Sequence, residues 1–137
     1  MFSNKSIPLP QKEVVTAQGA PKAIGPYSVG IRAFPWVFCS GQAGLDPNSG
    51  ELVKGGIEIE TRQTLSNIKS VLESAGSSLS QVVKTTVFLK DMADFARMNA
   101  VYAEFFSGNP PARSTVQVAA LPKGAAVEIE AIALITP

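Results

Sequence analysis

The ten residues from Ala126 to Ile135 constrain the fold more than any other part of this chain. In an extended segment Val127, Ile129, Ala131, Ala133 and Ile135 point one way, and Glu128, Glu130, Ile132 and Leu134 point the other. The first face is apolar throughout. The second begins with two carboxylates and turns apolar at its distal end. A chain of 137 residues supports one hydrophobic core. Helices of the same chain can cover one face of such a strand, but the other apolar stretch then needs a cover from elsewhere. We therefore expect an oligomer whose subunits cover each other's open sheet faces.

The remaining elements follow from local pattern. Residues 1–12 carry two prolines among mixed polar residues and read as a flexible N-terminal arm, leaving 13–137 as a single domain. Glu13 to Ala17 is a short edge strand, and Ser28 to Ala33 and Trp36 to Ser40 are strands around a turn at Phe34-Pro35. Asp46-Pro47-Asn48-Ser49-Gly50 is a turn. Leu65, Ile68, Leu72 and Ala75 share one helical face in a segment that starts near Ile57 and ends before Gly76. Gln81 to Lys90 is rich in Val and Thr and reads as a strand. Asp94 is the expected N-cap of a second helix carrying Phe95, Met98, Tyr102, Phe105 and Phe106, stopped by Asn109-Pro110-Pro111. Arg113 to Ala119 is the strand before the last. The order β-β-β-α-β-α-β-β describes an α+β sheet with two helices on one face.

Composition limits the chemistry. Hydrophobic residues make up 45% and charged residues 17%, which places the chain among globular proteins. The net charge of +1 argues against a nucleic-acid footprint. No run approaches the ~20 apolar residues of a membrane span, and the N-terminus has no signal-like apolar region. With no histidine and one cysteine, a Ser-His-Asp triad, a Cys-His pair and an ordinary zinc site are all excluded. Cys39 lies in an apolar run and reads as a buried thiol, and a cytoplasmic location is the default expectation. Acid-base chemistry falls to Asp, Glu, Lys, Tyr, backbone or water.

Two charges stand out because they sit in apolar strand runs, where an unpaired ion is costly. They are Arg113, after Pro111-Ala112, and Glu128. An arginine fork suits a small carboxylate, to which it donates two parallel hydrogen bonds. On the residues alone, Arg113 is equally readable as an interfacial salt bridge with Glu130, and Glu128 as a structural carboxylate bonded to backbone amides. Phe105 and Phe106 read as core, and Lys84 and Lys90 as solvated strand charges.

Four segments together resemble the RidA (YjgF) family of imine deaminases. They are Ala20 to Ser28, Ser40-Gly41-Gln42 with Gly44-Leu45, Val83 to Phe95, and Pro111-Ala112-Arg113-Ser114 through Glu130. The resemblance implies a chorismate-mutase-like fold and a homotrimer with ligand sites at subunit interfaces. It implies hydrolysis of 2-imino acids such as 2-iminopropanoate and 2-iminobutanoate to 2-keto acids and ammonia, with no metal or organic cofactor. By the same resemblance Arg113 binds the substrate carboxylate, and Glu128 orients water or shuttles a proton. Tyr27 lines the site, Asn99 and Phe95 line it from the neighbouring subunit, Ser40 and Gly41 offer backbone groups, and Thr115 stands where many members have cysteine. Arg113 and Glu128 are expected in one site, since both lie near the starts of strands joined by a short connection. Two other readings remain: a non-catalytic module that binds small carboxylates, and an endoribonuclease or translation inhibitor, a role attributed to some relatives.

Overall fold

The computed structural model describes residues 9–136. Most of the expected arm, residues 1–8, lies outside the described residues. The elements are β1 (Glu13–Val15), β2 (Gly30–Ala33), β3 (Trp36–Ala43), α1 (Ile57–Ser74), β4 (Val82–Leu89), α2 (Phe95–Phe105), β5 (Ala112–Gln117) and β6 (Val127–Leu134). They form one six-stranded sheet in the order β1-β2-β3-β6-β4-β5. All neighbours are antiparallel except β4 and β5, which run parallel and are joined through α2. No helix of the described residues is long and apolar enough to cross a membrane.

The alternation along β6 places it at the centre of the sheet. Val127, Ile129, Ala131 and Ala133 are buried, as are Val37 on β3 and Val87 and Leu89 on β4. Against them pack Leu65, Ile68, Val71 and Leu72 of α1, each with no exposed surface, and Met98 of α2. Burying side chains of this size contributes roughly 1.5–3 kcal/mol each. Gly76 follows α1 at φ 81°, a left-handed turn that a side chain resists, so the helix ends where expected.

Among the described residues no helix covers the opposite face of the sheet. Val14, Ile31, Phe38 and Ile132 register across β1, β2, β3 and β6 on that side. Phe38 is 44% exposed and Trp36 is 40% exposed, so an apolar row faces outward in the single chain.

Two details differ from the sequence reading. Asp94 makes no side-chain cap for α2. Its carboxylate instead accepts from Arg97 at 2.7 Å, and Asp91 caps the preceding turn by accepting from the Ala93 amide at 2.9 Å. The chain enters α2 through that turn, which moves the capping position upstream. The strand expected to stop at Ser40 runs on to Ala43, with a register shift against β6 between Cys39 and Gln42.

One buried carboxylate is structural. Glu60 on α1 is 7% exposed and accepts the Ala126 amide at 2.8 Å, fixing the entry to β6. Burial raises its pKa, with the Ala126 hydrogen bond opposing and the Asp94 charge adding to the rise. A carboxylate whose folded pKa is raised favours the folded state below its unfolded value of about 4.3, and loses that contribution as pH rises through the folded pKa. Glu60→Gln keeps an acceptor without the charge. Its melting temperature at pH 7 should equal or exceed that of the wild type, and the difference should shrink toward pH 4. A variant several degrees less stable at pH 7 would show that the charge itself is needed.

Candidate active site

The irregularity in β3 creates the first half of the site. Where the register shifts, Ser40 and Gly41 face the start of β6, and Glu128 crosses beside them. A Cβ on Gly41 would lie 2.9 Å from Glu128 Cδ, so only glycine admits the carboxyl group at this distance. Ser40 is fully engaged: its amide donates to Val29 O at 3.0 Å and its hydroxyl to Ser28 O at 2.6 Å. It anchors the 28–29 segment to the bulge, leaving neither donor free for a ligand. Tyr27 is 47% exposed, and its hydroxyl accepts weakly from the Ile24 amide at 3.4 Å. Together Tyr27, Ser40, Gly41 and Glu128 line a cavity of about 450 Å³, with Lys22 and Gln42 also in its wall.

Glu128 is half-buried, and its pKa is raised, first by loss of hydration and then by the Glu130 charge. It bonds to no backbone amide among the described residues. That separates it from Glu60 and leaves its oxygens available. Cys39 is 4% exposed, its thiol pushed up to about 12 by burial and by Glu130, which makes it inert packing rather than a nucleophile.

The second half is built by α2 and β5. Arg113 sits on the edge strand with its guanidinium carbon 4.8 Å from the Tyr102 ring centroid and 5.6 Å from that of Phe95. Among the described residues no carboxylate pairs with it, Glu130 included. Arg113, Asn99 and Tyr102 line a cavity of about 500 Å³. Thr115 follows on the same face of β5. Thr115 Oγ1 and Asn99 Oδ1 are both buried without a hydrogen-bond partner among the described residues. Phe95, 38% exposed, joins this half through its contact with Arg113, and Phe106, a core residue, also forms part of the cavity wall.

The two halves do not meet within one chain. Arg113 registers with Thr85, which is buried on the helix side of β4, while Glu128 registers with Phe88, three residues further along and on the open side. The expectation that Arg113 and Glu128 share a site is therefore corrected for the single subunit: the parity of β4 puts them on opposite faces. Asn99 and Phe95, assigned to a neighbour, are on the same subunit as Arg113 and group with it. Tyr27, Ser40 and Gly41 group with Glu128. The single chain thus carries an Arg113 half and a Glu128 half, facing different directions.

Comparison with known proteins decides the family. The family model described as Endoribonuclease L-PSP matches residues 17–135. This chain belongs to that family, the family of YjgF and RidA. A RutC family protein of Pyrococcus horikoshii is 57% identical over 122 residues, covering 89% of this chain and 97% of its own length. The mouse protein named 2-iminobutanoate/2-iminopropanoate deaminase is 49% identical over 126 residues, covering 92% and 93% of the two chains. The crystal structure of E. coli TdcF with bound serine superposes with a TM-score of 0.87 at 42% identity, covering 91% of this chain and all of TdcF. The fold of two helices on a six-stranded mixed sheet is that of the RidA family.

Within this family member, the sequence reading had not singled out Lys22, Gln42 or Tyr102 as site residues. Lys22 reaches the Glu128 cavity from the 20–28 segment, and Gln42 reaches it from the register shift in β3. Tyr102 sits at a core spacing on α2, and nothing local separates a ring under an arginine from a ring in a core.

Proposed function

We propose that this chain is a 2-imino acid deaminase, converting substrates such as 2-iminopropanoate and 2-iminobutanoate to 2-keto acids and ammonia at sites shared between subunits of a homotrimer. The observation that carries the reading is Arg113, an arginine with no carboxylate partner among the described residues, set on aromatic rings at the edge of the sheet. The half-buried Glu128 on the open face and the identity to proteins named as deaminases support it.

The chemistry fits these groups. A protonated imino acid carries an electrophilic carbon beside a carboxylate. The Arg113 fork holds the carboxylate, which orients that carbon. Glu128 takes a proton from the attacking water and passes it to nitrogen, so that the carbinolamine collapses to keto acid and ammonium. Its raised pKa suits both transfers. No metal or organic cofactor has a part in this scheme. If TdcF's serine is a guide, the ligand is a small 2-substituted carboxylate, the class a single arginine fork recognises.

For the halves to act together, Arg113 of one subunit must face Glu128 of the next, which the exposed apolar row around Phe38 and Trp36 supports as an assembly surface. Light scattering at micromolar concentration should give three times 14.4 kDa. A monomer would remove both the assembly and the shared site. The activity itself is tested by generating the imine in situ with an amino-acid oxidase and following ammonia or keto acid above the spontaneous rate. Binding of 2-oxobutanoate without any acceleration would favour the ligand-binding reading instead.

A further inference from the structure

We propose that Tyr102, held by Thr85, is the positioning residue that keeps the Arg113 guanidinium ready for a carboxylate. The inference rests on the reading of Arg113 as the carboxylate-binding group and adds how that group is kept in place. A long arginine side chain loses rotamer entropy on being fixed. The usual device for fixing one is an ion pair, and Arg113 has none among the described residues. An ion pair would also occupy the N–H groups that a ligand needs. A ring under the flat face of the cation holds it while leaving most of the fork free.

Two rings lie under Arg113, and they differ in firmness. Phe95 is 38% exposed at the first position of α2, with its ring centroid at 5.6 Å. Tyr102 is 6% exposed and nearer, at 4.8 Å. Its ring packs on Phe106 with centroids 4.6 Å apart, and its hydroxyl shares a 2.7 Å hydrogen bond with Thr85 Oγ1. Thr85 has no exposed surface and registers directly beside Arg113 across β4 and β5. The arginine's own neighbour in the sheet therefore fixes the ring on which the arginine rests. Burial raises the Tyr102 pKa, and the Thr85 bond, the Arg113 charge and contact with Arg113 oppose it, so the neutral phenol remains a lasting partner beside the cation.

The test uses the full-length chain. The Arg113 Nε–H resonance is assigned by its loss in Arg113→Lys. In the wild type it should be shifted upfield by the ring and slow to exchange with water. Tyr102→Phe should keep the shift and weaken 2-oxobutanoate binding by no more than about threefold, whereas Tyr102→Leu should lose the shift and weaken binding about tenfold. In the imine assay Tyr102→Leu should raise KM by a similar factor with kcat changed less, as expected for a group that acts through ground-state binding. An unshifted, rapidly exchanging Arg113 signal in the wild type would overturn the proposal without any variant, and so covers the case in which Tyr102→Leu fails to fold. Equal losses in Tyr102→Phe and Tyr102→Leu would also overturn it. These spectra report positioning whether or not the protein turns over imines, so failure of the deaminase reading would be seen separately, as a wild type with an ordered Arg113 and no activity.

Discussion

Arg113→Ala should leave the fold intact and reduce kcat/KM for imine hydrolysis by roughly 30- to 5,000-fold, the range for losing one partner of a buried, hydrogen-bonded charge pair at about 2–5 kcal/mol. The fold should survive because Arg113 lies on edge strand β5, is only partly buried, and pairs with no carboxylate among the described residues. Removing it strands no internal charge. Arg113→Lys should also lose most of the activity, because an ammonium is a point charge that cannot reproduce the two parallel hydrogen bonds of the fork. Near-wild-type turnover by either folded variant in an oxidase-coupled assay would end the carboxylate-binding role.

Glu128→Gln should lower kcat by roughly 10²–10⁴-fold, the usual range for a general acid-base group, with little change in KM. The amide keeps the size of the side chain against Gly41, so the effect reads proton transfer rather than packing. The pH profile gives a second readout. Loss of hydration and the Glu130 charge hold the Glu128 pKa above its ordinary value. Because the ionised form must accept the first proton, activity should fall as pH drops through that raised pKa, earlier than an ordinary glutamate would dictate. The variant should lack this acid limb. Full kcat in Glu128→Gln with a lower melting temperature would instead make the residue a structural carboxylate.

Much of the fold was legible because its signals are local. Leu65, Ile68 and Leu72 repeat at helical spacing and all three are fully buried, and Gly76 sits one turn past them in a left-handed conformation that the sequence marks. The alternation of β6 identified its buried face and its outward apolar end before any partner strand was known. Several of the residues that line the two cavities were legible, but their arrangement was not. Whether Arg113 and Glu128 face the same way depends on β4, which pairs with both of their strands and places Thr85 and Phe88 on opposite sides. That parity is a property of non-local register, and no spacing within β5 or β6 contains it. The bulge at Ser40 and Gly41 was missed for the same reason: it exists only as a mismatch between β3 and β6, strands separated by most of the chain. Asp94 failed as a cap because Asp91, three residues earlier, already caps the turn that leads into α2.

If one catalytic site takes Arg113 from one subunit and Glu128 from another, mixed oligomers of the two variants should recover activity. Arg113→Ala and Glu128→Gln chains, each expected to keep only a small residual activity alone, are co-expressed in equal amounts and purified together. In a symmetric trimer with head-to-tail interfaces, roughly a quarter of the shared sites then receive both native residues, and imine hydrolysis should return to about a quarter of the wild-type rate. A mixed preparation no more active than either variant alone, beside an active wild type, would contradict the account and place both residues in a site within one chain.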